Sequence, residues 1–404
     1  MKREQKALPS AEQLPLLEEV TREKIRFEER KERFQRKWYR AYLSTAGLAL
    51  ILSVSVLLLG FLAKGSGIFS SIATEIIRLN FMDLSGREKI TETEHTTVDS
   101  QNTPSEKPSR PTPMPPKEDE ENPPLSLETL YFFDYTAVPK GENPILPKDL
   151  SLSSYGAGYI QNLTGLSPDT EALLYGPLQP DATLRPLART DEPVVLILHT
   201  HGSESYSAEG AISYREGTEE LRSENIEENV VAVGKTLANA LEAKGISTLH
   251  CSVLHDRVQF KDSYARAEQT IRAYLAEYPS IKLVIDLHRD AIIKSTGEMI
   301  RPVTLNAKGE ATAQVMCVVG SSWNGQENDR WEGNLSLALK LRSELNAETQ
   351  NLCRPPYLRG ATYNQEFAPY SLLLEIGSGG NSLSEAKRAA LLVADALAKL
   401  VPQM

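Results

Sequence analysis

Cysteine is scarce in this 404-residue chain, and positive charge is not in excess. Cys251, Cys317 and Cys353 are too few for a disulfide framework or a Cys-rich zinc module. A formal charge of -10 excludes a nucleic-acid binder, because a phosphate backbone would be repelled. No internal repeat is present. With 41% hydrophobic and 24% charged residues the chain is neither wholly disordered nor a polytopic membrane protein. Its length allows two or more domains, at ~150 residues each.

Charge is missing altogether from residues 41–63. This apolar run is long enough to cross a bilayer as a helix, which needs ~20 residues for a ~30 Å core. Residues 1–40 are charged and net positive, with 12 Lys/Arg against 8 Asp/Glu. They are too long a lead for a cleavable signal peptide. Trp38, Tyr39 and Tyr42 mark an interface, and Lys64 is the only base before Arg78. The positive-inside rule then keeps residues 1–40 in the cytoplasm and exports the C-terminal part beyond the cytoplasmic membrane.

Residues 64–125 form a juxtamembrane segment and linker. From Leu84 to Leu125 there are eight prolines and no aromatic residue. Such a composition buries too little apolar surface to offset ordering entropy, and it reads as a spacer. Aromatics return at Tyr131, and residues 126–190 read as short elements of a small N-terminal lobe.

From 191 to 404 apolar runs alternate with amphipathic stretches. Strands are expected at 193–200, around "ISTLHCS", at 281–288, 312–321 and 370–377, with Cys251 and Cys317 as buried strand residues. Helices are expected at 224–244, 264–278, 332–349 and 383–400. This alternation predicts an α/β fold, a largely parallel sheet with helices on both faces. Ligands in such sheets bind at the carboxyl ends of strands.

Chemistry-bearing residues fall at those ends. The first strand runs into His199, Thr200, His201, Gly202, Ser203 and Glu204; the third ends in Asp286, Leu287, His288, Arg289 and Asp290; the fifth contains Glu375. Three of only six histidines lie at two strand ends. Imidazole and carboxylate donors suit Zn²⁺, which in hydrolases takes three protein ligands and leaves a position for water. Asp286 and His288 share a strand face, so Asp286 is placed to orient His288. Arg289 and Asp290 are candidates for substrate binding or for a structural pair. Tyr206, Asn364 and Asn381 are candidate rim contacts.

The motifs "LILHTHGSESY", "IDLHRDA" and "PYSLLLEIGSGGNS", in that order, resemble the stage II sporulation protein P family of endospore-forming bacteria. The resemblance spans roughly residues 150–404. It implies a fold similar to zinc-dependent N-acetylmuramoyl-L-alanine amidases and cleavage of peptidoglycan during forespore engulfment, with endopeptidase action on cross-links. It also implies work alongside stage II sporulation proteins D and M. Carried over by position, His201 and His288 match the zinc histidines, with His199 competing for the first place. The third ligand, a Glu opening the next helix, aligns best with Glu227, and Glu228 is close behind. A rival HxxE reading, as in zinc carboxypeptidases, pairs His201 with Glu204. Glu375 matches the catalytic glutamate. Two other functions stay open beside the amidase: a metallocarboxypeptidase trimming stem peptides, and a non-enzymatic membrane scaffold.

Overall fold

A computed structural model describes residues 125–178, 192–218, 221–325 and 327–404. The expected cytoplasmic segment, membrane span and nearly all of the linker lie outside the described residues. Among the described residues no helix is long and apolar enough to cross a membrane.

The chain passes through α1 (Leu127–Tyr131), β1 (Glu142–Lys148), β2 (Gln161–Asn162) and α2 (Thr170–Tyr175) to β3 (Val195–Leu198). Next come β4 (Ser213–Arg215), α3 (Val230–Ala243), β5 (Thr248–His250), α4 (Ser263–Glu277) and β6 (Leu283–Asp290). The chain continues through β7 (Met299–Leu305), β8 (Ala311–Ala313), β9 (Val315–Gly320) and α5 (Trp331–Glu348). It closes with β10 (Tyr357–Arg359), β11 (Tyr370–Ser378) and α6 (Leu383–Leu400).

The aliphatic runs of β3, β6, β9 and β11 are buried because they form the middle of one seven-stranded sheet, ordered β2-β10-β9-β11-β6-β3-β5. β5, β3, β6 and β11 are mutually parallel. β9 runs antiparallel to β11, and β10 and β2 follow β9. The sheet is therefore largely parallel, with one antiparallel junction between β9 and β11. The reason for that junction is the connection after β6. A parallel return needs a crossover of a dozen or more residues, usually a helix. Here the chain makes β7 and β8 instead and re-enters the sheet as β9 with no helix between.

Side chains alternate between the two faces. Val195, Ile197, Leu283, Ile285, Leu372, Leu374 and Cys317 pack with α3, α5 and α6 in the larger core. On the opposite face Leu196, Leu198, Leu249 and Val284 pack against Ala267, Ile271 and Tyr274 of α4. α4 covers only the β5-β3-β6 half. Over β11 and β9 the same face carries a small cluster of Leu373, Met316 and Val318.

A second sheet, ordered β4-β1-β7-β8, joins residues from three parts of the chain. β1 pairs with both β4 and β7, while β2 extends the edge of the large sheet. The Ser336 hydroxyl and Lys340 ammonium of α5 donate to the carbonyls of Leu173 and Leu174 in α2. Residues expected as a lobe of their own thus supply strands to both sheets.

Candidate active site

β6 and β11 lie in parallel register, with His288 beside Glu375 and Asp286 beside Leu373. Residues two apart share a face, so Asp286, His288, Asp290 and Glu375 all project on the half-covered side. Loop 199–206 comes over them from the end of β3. It is tied down at Thr200, whose amide and hydroxyl donate to the two Asp286 oxygens at 2.8 and 2.6 Å.

This loop brings His201 and Glu204 to His288. The His201 and His288 rings are 5.3 Å apart between centroids and nearly perpendicular. Glu204 Oε2 stands 3.5 Å from His288 Nδ1 and accepts the Arg289 amide at 3.2 Å. On the other side of the ring, His288 Nε2 is 2.9 Å from Asp286 Oδ1. Asp286 thus orients His288 while being held by Thr200. Phe260 lies flat on His201, with ring centroids 4.1 Å apart, and the Arg222 guanidinium lies over the Phe260 ring, 4.8 Å from its centre. Neither Phe260 nor Arg222 carries a sequence signal; they come from two separate loops, before α3 and before α4, without helical or strand periodicity.

His199 goes elsewhere. It points to the opposite face beneath α3, where its Nδ1 is 2.8 Å from the Leu287 carbonyl and its Nε2 is 2.9 Å from His250 Nε2. Alternation explains this: His199 follows Ile197, which faces α3, and the chain turns before His201. Glu227 and Glu228 are also outside the group. α3 begins only at Val230, where the Asn229 side chain accepts the Val231 amide, so both glutamates precede the helix on exposed chain. Glu227 is ion-paired with Lys235 at 2.9 Å.

Arg289 and Tyr206 are both engaged in internal ties. The buried Arg289 guanidinium donates to the carbonyls of Ser205, Leu221 and Asp290. Tyr206 donates its hydroxyl to the Ile376 carbonyl at 3.1 Å. Asp290 pairs with Arg354 at 2.8 Å, not with Arg289. Asn381 is buried, donating to the Pro302 carbonyl and to Glu385. Asn364 donates to the Tyr264 carbonyl at the edge of the half-covered face.

Electrostatically the site holds surplus carboxylate. Burial pushes Glu375 up to about 8, aided by Asp290 and Glu204 and opposed by His288. Burial alone would lower His288, but Asp286 and Glu204 outweigh it and hold the imidazole well above its usual value. Burial, with repulsion from His288, brings His201 down to about 4, which keeps its ring neutral. Glu375 Oε2 is buried without a hydrogen-bond partner. Among the described residues no three metal-binding side chains already converge as a finished cluster. In kind, however, the donors fit a zinc-type cation: one neutral imidazole, a second imidazole backed by a carboxylate, and Glu204. A cation there would also offset the crowding of Glu204, Asp286 and Glu375.

Comparison with known proteins adds the lineage. A stage II sporulation protein P of Bacillus subtilis (strain 168) is 28% identical over 222 residues, covering 52% of this chain and 51% of that protein. The chain therefore spans about half the length of this relative. Among solved structures, the CwlD amidase from Clostridioides difficile, in complex with the GerS lipoprotein, is 13% identical, with a TM-score of 0.32. The match covers 51% of this chain and 98% of that one. The catalytic domain of CwlV, an N-acetylmuramoyl-L-alanine amidase from Bacillus (Paenibacillus) polymyxa var. colistinus, is 12% identical, with a TM-score of 0.29. There the coverage is 51% of this chain and 97% of that one. The sequence profile of Stage II sporulation protein P matches residues 78–398, most of the chain, and the chain belongs to that family.

Proposed function

We propose that this chain is a membrane-anchored, zinc-dependent N-acetylmuramoyl-L-alanine amidase that cleaves peptidoglycan outside the cytoplasmic membrane during forespore engulfment. Family membership supports the sporulation setting. The observation that carries the activity is His201 and Glu204 each standing against His288, with Glu375 on the neighbouring strand. His201, Glu204 and His288 would hold the metal. Zinc, when bound, supplies Lewis-acid polarisation of the scissile carbonyl.

The chain's own residues do the rest. The Asp286 carboxylate, 2.9 Å from Nε2, holds the His288 ring electrostatically and leaves Nδ1 towards Glu204. Glu375 is crowded by Asp290 and Glu204 and has one buried oxygen unpaired, so a proton is readily held on that oxygen and passed to a departing amine. Phe260 shields the outer face of His201 from water. Partnership with stage II sporulation proteins D and M, and endopeptidase action on cross-links, extend this reading from the family resemblance.

The test is release of muropeptide fragments from purified wall by the full chain, with zinc and after chelation. Intact stem peptides freed from glycan, lost on chelation and restored by zinc, are the expected result. Undiminished cleavage by metal-free protein would overturn the zinc assignment. Glu204 and His201 both standing against His288 favours one second reading, a metallocarboxypeptidase with an HxxE pair. Mass spectrometry separates the two, since a carboxypeptidase would release single terminal amino acids and leave the stem on the glycan.

A further inference from the structure

The half of the sheet face that α4 leaves open is a cavity of about 430 Å³ with Glu375 at one end. Its floor is Leu373, Met316 and Val318. Two cations also line it, and the amidase chemistry above uses neither. Arg354 is almost wholly buried, yet only one arm of its guanidinium is matched: Nη2 meets Asp290 at 2.8 Å, while Nη1 has no hydrogen-bond partner. A buried guanidinium nitrogen without an acceptor is costly, and the cost is removed when an acceptor enters. Arg359 is half-buried, with its guanidinium 5.3 Å from the centre of the Tyr357 ring.

Register places these cations along a line. On β9, Met316 sits opposite Glu375, Val318 lies between Leu373 and Tyr357, and Gly320 sits opposite Arg359. From the Glu375 rung to the Arg359 rung is four strand residues, roughly 13 Å. Arg354 lies at the Glu375 end, since its amide donates to the Val315 carbonyl. Planar guanidinium groups bind carboxylates by paired hydrogen bonds and discriminate strongly against neutral isosteres.

We propose that this groove reads the peptide side of the substrate, with Arg354 and Arg359 binding free carboxylates of an acidic stem peptide laid along β9. The assignment rests on the peptidoglycan reading above and names the part of the substrate that this face recognises. Stem peptides whose carboxylates are amidated would then be poor ligands.

Binding tests this without requiring turnover. The full chain is titrated with the tripeptide L-alanyl-γ-D-glutamyl-L-lysine, with both carboxylates free, and with the same tripeptide amidated at both. The free form is expected to bind at least tenfold more tightly, and added salt should narrow the gap. Arg354→Gln should remove most of the preference, and Arg359→Gln should reduce it. Because Arg354 is a buried ion-pair partner, Arg354→Gln could misfold; Arg359→Gln, at a half-buried site, then carries the test alone. Equal affinity of the wild type for the two tripeptides would overturn the proposal, as would a preference undiminished in Arg359→Gln. Carboxylate-selective binding by a protein that cleaves no wall would uphold the groove and overturn the amidase reading, so the two stand or fall separately.

Discussion

Glu375 and Asp286 show how one chemical group takes two roles by position. Both are buried carboxyls on adjacent strands, yet Asp286 is pulled down to about 2 and Glu375 is pushed up to about 8. Burial raises both; for Asp286 the neighbouring His288 and the Thr200 hydrogen bonds prevail, whereas Glu375 Oε2 has no hydrogen-bond partner and the pull of His288 is outweighed by burial and Asp290. Glu375→Gln keeps the shape and removes the exchangeable proton, so kcat for wall cleavage should fall by about 10²-fold or more. A variant that cleaves like the wild type would instead favour a scaffold. Asp286→Asn should leave the fold intact and lower zinc affinity or activity by about 10–100-fold, because His288 loses its orienting charge. Zinc titration of the variant checks this apart from turnover, and unchanged affinity would remove Asp286 from its role. The shared face of His288 and Asp286 was legible in sequence because strand alternation fixes it, whereas Glu375 stood out through its strand-end place and the family resemblance. His201 against His199 was not legible, since a loop has no period, and Glu204 was legible only as a rival pairing.

Elements were easier to place than to orient. The run 383–400 is a helix at those same bounds, stopped at its start by a capping box between Ser382 and Glu385. The helix expected from 224 begins six residues later, because Asn229 caps it and residues 223–229 are held by turns and side-chain bonds. That delay is what leaves Glu227 at the surface. The expected strand 312–321 is broken at Gln314, whose buried amide donates to Asp149 and the Asn351 carbonyl, which separates β8 from β9. How closely α3 approaches the sheet is also set by one residue. A Cβ at Gly234 would come within 2.6 Å of the His199 ring and 2.8 Å of His250 Nε2. Gly234→Ala should therefore destabilise the protein by about 1–3 kcal/mol through overpacking. In α5, a Cβ at Gly333 meets only Tyr370 at 3.6 Å, so Gly333→Ala should be neutral or stabilising by up to about 1 kcal/mol. Thermal unfolding of both variants decides it, and a Gly234→Ala protein as stable as Gly333→Ala would mean that α3 does not bear on His199.

At the scale of the whole molecule, charge is divided as a tethered enzyme would require. Residues 1–40 are net positive, residues 41–63 carry no charge, and the remainder is strongly acidic. The proposed anchoring rests on that pattern. Residues 84–125, almost all outside the described part, hold eight prolines and no aromatic residue, a composition with no apolar face to offer a partner. The expected role is a tether whose length matters more than its order. About 42 residues at ~3.1 Å each could reach ~130 Å if fully extended in polyproline form, and less on average if flexible. Scrambling this segment at constant length and proline content should therefore leave wall cleavage in sporulating cells unchanged. Deleting most of it should impair cleavage in cells, because the anchored site no longer reaches the wall, while the purified protein still cleaves isolated wall. A scrambled chain that is exported and abundant yet inactive in cells would show that the segment is recognised by sequence, and the tether assignment would fall.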